Sequence, residues 1–175
     1  MKKSTKYVIG IDPSGAYQEG KGTTGFAVYD RLRDRPVFLG SVYAGDYNSM
    51  EAYFKAVADT MLELYTVYGL HAVVSIEDFL VYAQNAMTFT YSKMETCQLL
   101  GYLKMVLYKH EIPMYIRPAV LVKKRWSNDV LAHRGYIKPN GKSWIGPTKP
   151  DNLLPHELDA LRHAIHCGMF EIKEE

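Results

Sequence analysis

Two apolar runs each end on an acid, and this pattern constrains the fold more than any other feature of the chain. Asp12 closes Tyr7-Val8-Ile9-Gly10-Ile11, and Glu77 closes Val73-Val74-Ser75-Ile76. Short continuous apolar runs read as strands buried on both faces, as in a sheet covered by helices on each side. A carboxylate at the end of such a strand is costly unless something neutralises it. A third acid, Asp159, lies on an apolar-striped helical segment, with His156 one turn before it. A shared divalent cation neutralises such a group most directly, so a metal-dependent enzyme is expected.

The remaining pattern supplies the frame. Gly25 to Tyr29 and Val37 to Val42 read as strands joined by the charged turn Arg31 to Pro36, which completes an antiparallel meander. Met50 to Tyr68 has helical spacing and stops at Gly69. Ser92 and Glu95 form a capping box for a second helix through Lys109, with Leu99, Leu100, Leu103, Val106 and Leu107 as its stripe. Met114 to Arg117 reads as a fifth strand. Pro118 opens a third helix reaching His133, and Pro155 opens the last one. Tyr136 to Asn152, rich in proline and lysine, reads as a loop. The expectation is an α/β chain: three antiparallel strands, then parallel strands, in a five-stranded mixed sheet flanked by helices.

Composition narrows the classes. The 175 residues suffice for one domain, 1–175, and a 47% hydrophobic content excludes a disordered chain. A net charge of +2 means that any nucleic-acid affinity comes from local clusters. Cys97 and Cys167 lack the spacing of a zinc site, and no secretory or membrane-length apolar run occurs. A cytoplasmic chain with reduced thiols is expected.

Each acid has a plain alternative. Asp12 before Pro13 suits a turn, Glu77 suits a pair with a local lysine, and Asp159 suits a surface helix. Together the alternatives weaken. His156 and Asp159 are spaced i, i+3 and share one helical face. If the first and fourth strands are neighbours, Asp12, Glu77, His156 and Asp159 can converge. Three carboxylates and an imidazole suit Mg²⁺ or Mn²⁺, and two such ions support in-line phosphodiester hydrolysis. Glu157 points about a third of a turn away and is a reserve ligand. His163 and His166 continue the face and are expected to be partly solvated.

Four segments, in order, resemble a known family. Ile9-Gly10-Ile11-Asp12-Pro13 with Thr24-Gly25-Phe26-Ala27-Val28 resembles the first strand pair of RuvC-type Holliday junction resolvases. Ile76-Glu77-Asp78-Phe79 resembles their second acidic strand, and Pro118 with Val122-Lys123 their proline and lysine segment. His156-Glu157-Leu158-Asp159-Ala160-Leu161 resembles their final helix, where an H-x-x-D pair completes the site. The resemblance implies an RNase H-like fold and a homodimeric, structure-selective endonuclease for four-way junctions. It also implies that Asp12, Glu77, His156 and Asp159 are metal ligands and Lys123 a catalytic or phosphate-contacting base. The long loop to Thr24, the unmatched Tyr136 to Asn152 segment and a missing second lysine, for which Arg125 or Arg134 could substitute, fit a divergent bacteriophage-type member cutting several branched DNAs. The cytoplasm of a bacterium or phage-infected host would be its location.

For DNA contact, Lys123-Lys124-Arg125-Trp126 mixes charge with an aromatic ring, and Lys138, Lys142 and Lys149 can extend the footprint. Phe79, Tyr82 and Phe89 are placed where a wedge residue would belong; core packing is the alternative for each, and for Trp126. A non-catalytic junction-binding module and an RNase H-like nuclease for RNA–DNA hybrids are the competing functions. The second helix, Ser92 to Lys109, is the candidate dimer interface.

Overall fold

The computed structural model describes residues 5–18, 20–79 and 91–172. A five-stranded sheet is built from β1 (Tyr7–Asp12), β2 (Thr23–Asp30), β3 (Arg35–Tyr43), β4 (Ala72–Asp78) and β5 (Met114–Pro118). Its order is β3-β2-β1-β4-β5. The β1–β2 and β2–β3 pairs are antiparallel, whereas β1–β4 and β4–β5 are parallel. The meander and the parallel crossover are those expected from the strand pattern, and the two acidic strands lie side by side, the condition under which their acids converge.

Helices cover both faces. On one face, α1 (Met50–Tyr68) and α2 (Tyr91–Lys109) pack Tyr53, Val57, Met61, Leu99, Leu103 and Leu107 against Ile9, Ile11, Val74 and Ile76. The α2 stripe is therefore internal. On the other face, Val8, Ala27, Tyr29 and Val73 meet Leu158, Leu161 and Ile165 of α5 (Pro155–Phe170). Each such buried aliphatic side chain contributes about 2 kcal/mol. Because side chains alternate along a strand, Asp12 shares a face with Val8 and Gly10, and Glu77 with Val73 and Ser75. Both acids therefore point towards α5.

Two glycines set how closely α5 approaches. A Cβ on Gly10 would lie 2.0 Å from the carbonyl oxygen of Ala160, and one on Gly25 would lie 2.1 Å from that of His156. Gly25 is also the cross-strand partner of Asp12. The α5 backbone thus rests directly on β1 and β2, beside the acid that ends β1.

Three sequence expectations need correction. The expected single helix from Pro118 to His133 is two, α3 (Ala119–Arg125) and α4 (Asn128–His133). Ser127 starts the second by accepting the Val130 N–H at 3.3 Å, while the Trp126 carbonyl accepts from Arg162 Nε at 2.7 Å. The expected Tyr136 to Asn152 loop is instead a small antiparallel sheet of β6 (Lys138–Asn140), β7 (Ser143–Gly146) and β8 (Lys149–Asn152). Gly141, at φ +61°, makes its first turn; Ile137 and Leu153 are buried in the core cluster that includes α5, and Trp144 packs against it. Finally, the last helix, expected to carry only an apolar stripe, is buried on nearly all sides, because the five-stranded sheet and α3 pack against it and Lys149 of β8 pairs with Glu157.

Candidate metal centre at the ends of β1 and β4

One oxygen each from Asp12, Glu77 and Asp159 lies within 4.8 Å of the others. Strand ends deliver Asp12 and Glu77, and the second turn of α5 delivers Asp159. His156 joins through Asp12, with its Nδ1 2.6 Å from Asp12 Oδ2. The four residues expected to converge do so, with His156 attached to the carboxylate cluster rather than within its compact core.

Basic side chains already brace the acids. Lys123 Nζ lies 2.7 Å from Asp159 Oδ2 and 3.7 Å from Glu77 Oε1. Arg162 donates Nη1 to Asp159 Oδ1 and Nη2 to Asn128 Oδ1, in addition to its bond to the Trp126 carbonyl. His163 Nε2 lies 3.2 Å from Glu77 Oε2 without hydrogen-bond geometry. His163 is 1% exposed, which corrects the expectation of a partly solvated helix histidine. Its side chain is trapped between α5 and β4. Arg162 is the site residue that sequence reasoning missed, and His163 is one that it placed at the surface. Their signal was three polar residues, Asp159, Arg162 and His163, recurring at helical spacing on one face of the helix.

The electrostatics follow from this crowding. Burial pushes the Asp12 carboxyl up to about 6. The His156 hydrogen bond opposes this, whereas nearby Glu77 and Asp159 reinforce it. The bond to Asp12 raises His156 against the opposing effect of burial. Burial lowers the Lys123 ammonium, but its contacts with Asp159 and Glu77 outweigh burial and leave it raised. Three hard oxygen donors, mutually repelling and partly dehydrated, fit Mg²⁺ or Mn²⁺. Asp12, Glu77 and Asp159 would hold the ion, with His156 at its edge.

Other candidates fall outside the cluster. Glu157 is fully buried; it accepts Lys149 Nζ at 2.6 Å and the Leu154 N–H at 2.9 Å. It caps α5 and ties down β8, so it is not a reserve ligand here. Trp126 is 2% exposed and belongs to the core, so it offers no face to a base. Lys124 and Arg125 are exposed on α3, with Arg125 4.2 Å above the Phe170 ring. Arg134 instead stacks over Trp126 at 5.4 Å. Lys138 and Lys142 are exposed on the small sheet. Phe79 is half-buried against the α1–α2 core, and Tyr82 and Phe89 lie outside the described residues. His166 contacts Glu171 at 3.8 Å, away from the acids.

No protein-family model matches the chain, and no curated protein matches its sequence. Solved structures do match. T. thermophilus RuvC in complex with Holliday junction substrate superposes with a TM-score of 0.64 at 19% identity, over 93% of each chain. A second Thermus thermophilus RuvC structure gives 0.56 at 17% identity, again over 93% of each chain. At these identities the likeness establishes the fold: a RuvC-type, RNase H-like mixed sheet flanked by helices.

Proposed function

We propose that the chain is a divalent-metal-dependent endonuclease that nicks four-way junctions and other branched DNA. The convergence of Asp12, Glu77 and Asp159 at the carboxyl ends of adjacent strands carries this reading. In support, the structure most relevant to substrate is a RuvC bound to Holliday junction DNA.

Asp12, Glu77 and Asp159 hold Mg²⁺ or Mn²⁺, two ions in the full site, with His156 as a further ligand. When bound, the metal supplies an activated water and neutralises charge developing at the phosphate. The protein's own groups do the rest. His156 orients Asp12 through Nδ1, and its ring, 36% exposed, faces the solvent side where substrate enters. Lys123 contacts a phosphate oxygen from the last turn of α3. Lys124 and Arg125 extend that contact along the DNA backbone, and Lys138 and Lys142 do so from the small sheet. Phe79, which directly follows β4, flanks the opening of the junction. With a net charge of only +2, binding depends on these local groups and weakens as salt rises.

A homodimer places two such sites on the two symmetric strands of a junction. The α2 face turned away from the core carries Met94, Met105 and Tyr108, exposed by 50%, 60% and 82%. This face, rather than the internal leucine stripe, is the dimer surface in our reading.

The test is a cleavage panel with Mg²⁺ and with Mn²⁺ on a synthetic four-way junction, a flap, linear duplex and an RNA–DNA hybrid. Junction and flap cutting that disappears in Asp12→Asn is expected. Binding without cutting would identify a junction-binding module, preferential hybrid cutting would move the assignment to an RNase H-like ribonuclease, and undiminished cutting by Asp12→Asn would refute the site.

A further inference from the structure

Three basic side chains brace Glu77 and Asp159, but they are anchored differently. His163 and the Arg162 side chain, 1% and 13% exposed, are fixed in the interior of α5. The Lys123 side chain is 43% exposed and reaches in from α3 on four flexible methylenes. Its ammonium touches both acids at once, at 2.7 Å and 3.7 Å. Those same two acids belong to the three-carboxylate cluster. A divalent cation held there and the Lys123 ammonium would draw on the same carboxylates, and two cations at that separation repel strongly in a partly buried site. Arg162 keeps Asp159 Oδ1 occupied in either state, so Oδ2, the oxygen Lys123 holds, is the one left to exchange.

We propose that Lys123 is the resident counter-ion of the centre and exchanges with the metal: loading expels its ammonium from between Glu77 and Asp159 towards the exposed side of α3, where it meets DNA phosphate beside Lys124 and Arg125. This rests on the metal-dependent reading given above. By linkage, metal loading then strengthens DNA binding, and DNA that captures Lys123 strengthens metal binding by the same factor.

The experiment measures Mn²⁺ binding to the full chain, without DNA, from the electron paramagnetic resonance of free Mn²⁺. Wild type, Lys123→Met, Lys123→Arg and Asp159→Asn are compared. Lys123→Met should bind Mn²⁺ about fivefold or more tightly than wild type, while Lys123→Arg stays near wild type. Adding an uncleavable phosphorothioate junction should tighten Mn²⁺ binding in wild type but not in Lys123→Met. Mn²⁺ binding by Lys123→Met that is equal to or weaker than wild type overturns the exchange alone. Absence of Mn²⁺ binding in every protein, or full binding by Asp159→Asn, overturns the metal reading and the exchange with it.

Discussion

Asp12 Oδ2 and His156 Nδ1 lie 2.6 Å apart, joining the last residue of β1 to the first turn of α5. The contact makes Asp12 a buried acid with one fixed partner and two acidic neighbours. Ionised, it costs stability: moving a carboxyl from 3.8 to about 6 corresponds to about 3 kcal/mol at neutral pH. Asp12→Asn should therefore melt higher than wild type in chelator while losing about a thousandfold in cutting rate. Thermal melts in EDTA beside the cleavage assay check both halves. A lower melting temperature in EDTA would contradict the cost assigned to Asp12.

The pH dependence has a definite sign. Asp12 and His156 both titrate higher in the folded chain than their ordinary 3.8 and 6.5. The folded state then binds more protons than the unfolded state. The Asp12 penalty is absent below its unfolded value and grows as pH rises towards about 6. The His156 contribution is present below 6.5 and is lost as pH rises through the raised folded value. In EDTA, the stability contributed by this pair should fall as pH rises from about 4, through about 6 for Asp12 and on through the raised value of His156. Millimolar Mg²⁺ should flatten the decline, because the cation replaces the proton as the neutraliser. Subtracting the same scan of Asp12→Asn isolates the pair; a difference that rises with pH would reverse the assignment.

The glycines beneath α5 give a separate test of how the site is positioned. Gly25→Ala drives a methyl group into the His156 carbonyl, and Gly10→Ala drives one into that of Ala160. Backbone cannot yield as a side-chain tip does, so each substitution should cost about 1–3 kcal/mol of stability. Gly25→Ala displaces the first turn of α5, where His156 sits, and should also weaken Mn²⁺ binding in protein that remains folded. Equal Mn²⁺ affinity in Gly25→Ala and wild type would show that the turn had not moved.

These glycines also mark where reading the sequence stopped. An acid ending an apolar strand is a local anomaly, so Asp12 and Glu77 were legible, and their convergence needed only adjacent parallel strands. The spacing of His156 and Asp159 put them on one face without knowledge of the fold. The close approach at Gly10 and Gly25 involves α5, more than a hundred residues away, and leaves no local trace. An apolar stripe implies one buried face, which leaves Arg162 unmarked and puts His163 at the surface, whereas α5 is enclosed by layers on several sides. In the small sheet, Pro139, Pro147 and Pro150 obscured a strand pattern that the Asn140-Gly141 turn signals.

His163 should behave as a positioning residue for Glu77. Its Nε2 faces Glu77 Oε2 at 3.2 Å, and both of these atoms are buried. His163→Leu preserves the apolar packing but leaves that oxygen without a polar neighbour. A loss of about 10–100-fold in metal affinity or activity is expected, the usual effect of removing a partner behind a ligand. His163→Gln, which puts an amide N–H near that oxygen, should recover part of it. The expected loss lies in kcat at saturating metal and in the metal requirement, with KM for DNA unchanged. A change confined to KM would place His163 in DNA contact instead.

The dimer prediction turns on the outer face of α2. Met94, Gly101, Met105 and Tyr108 follow one another at intervals of seven, four and three residues, so they share one stripe. A Cβ on Gly101 would have nothing within 4 Å, so the middle of this stripe is open to close approach by another helix. An exposed apolar stripe with a glycine at its centre fits the same stripe of a second copy, crossing at Gly101. Met105→Glu puts a charge into that crossing without touching the core, because Met105 is 60% exposed. It should leave the melting temperature of the monomer nearly unchanged and convert the dimer to monomer at micromolar concentration in sedimentation velocity. The junction assay supplies the functional consequence. Paired cuts on opposing strands should give way to single nicks, since each monomer keeps a complete carboxylate cluster. A Met105→Glu protein that stays dimeric and still makes paired cuts would exclude α2 as the interface.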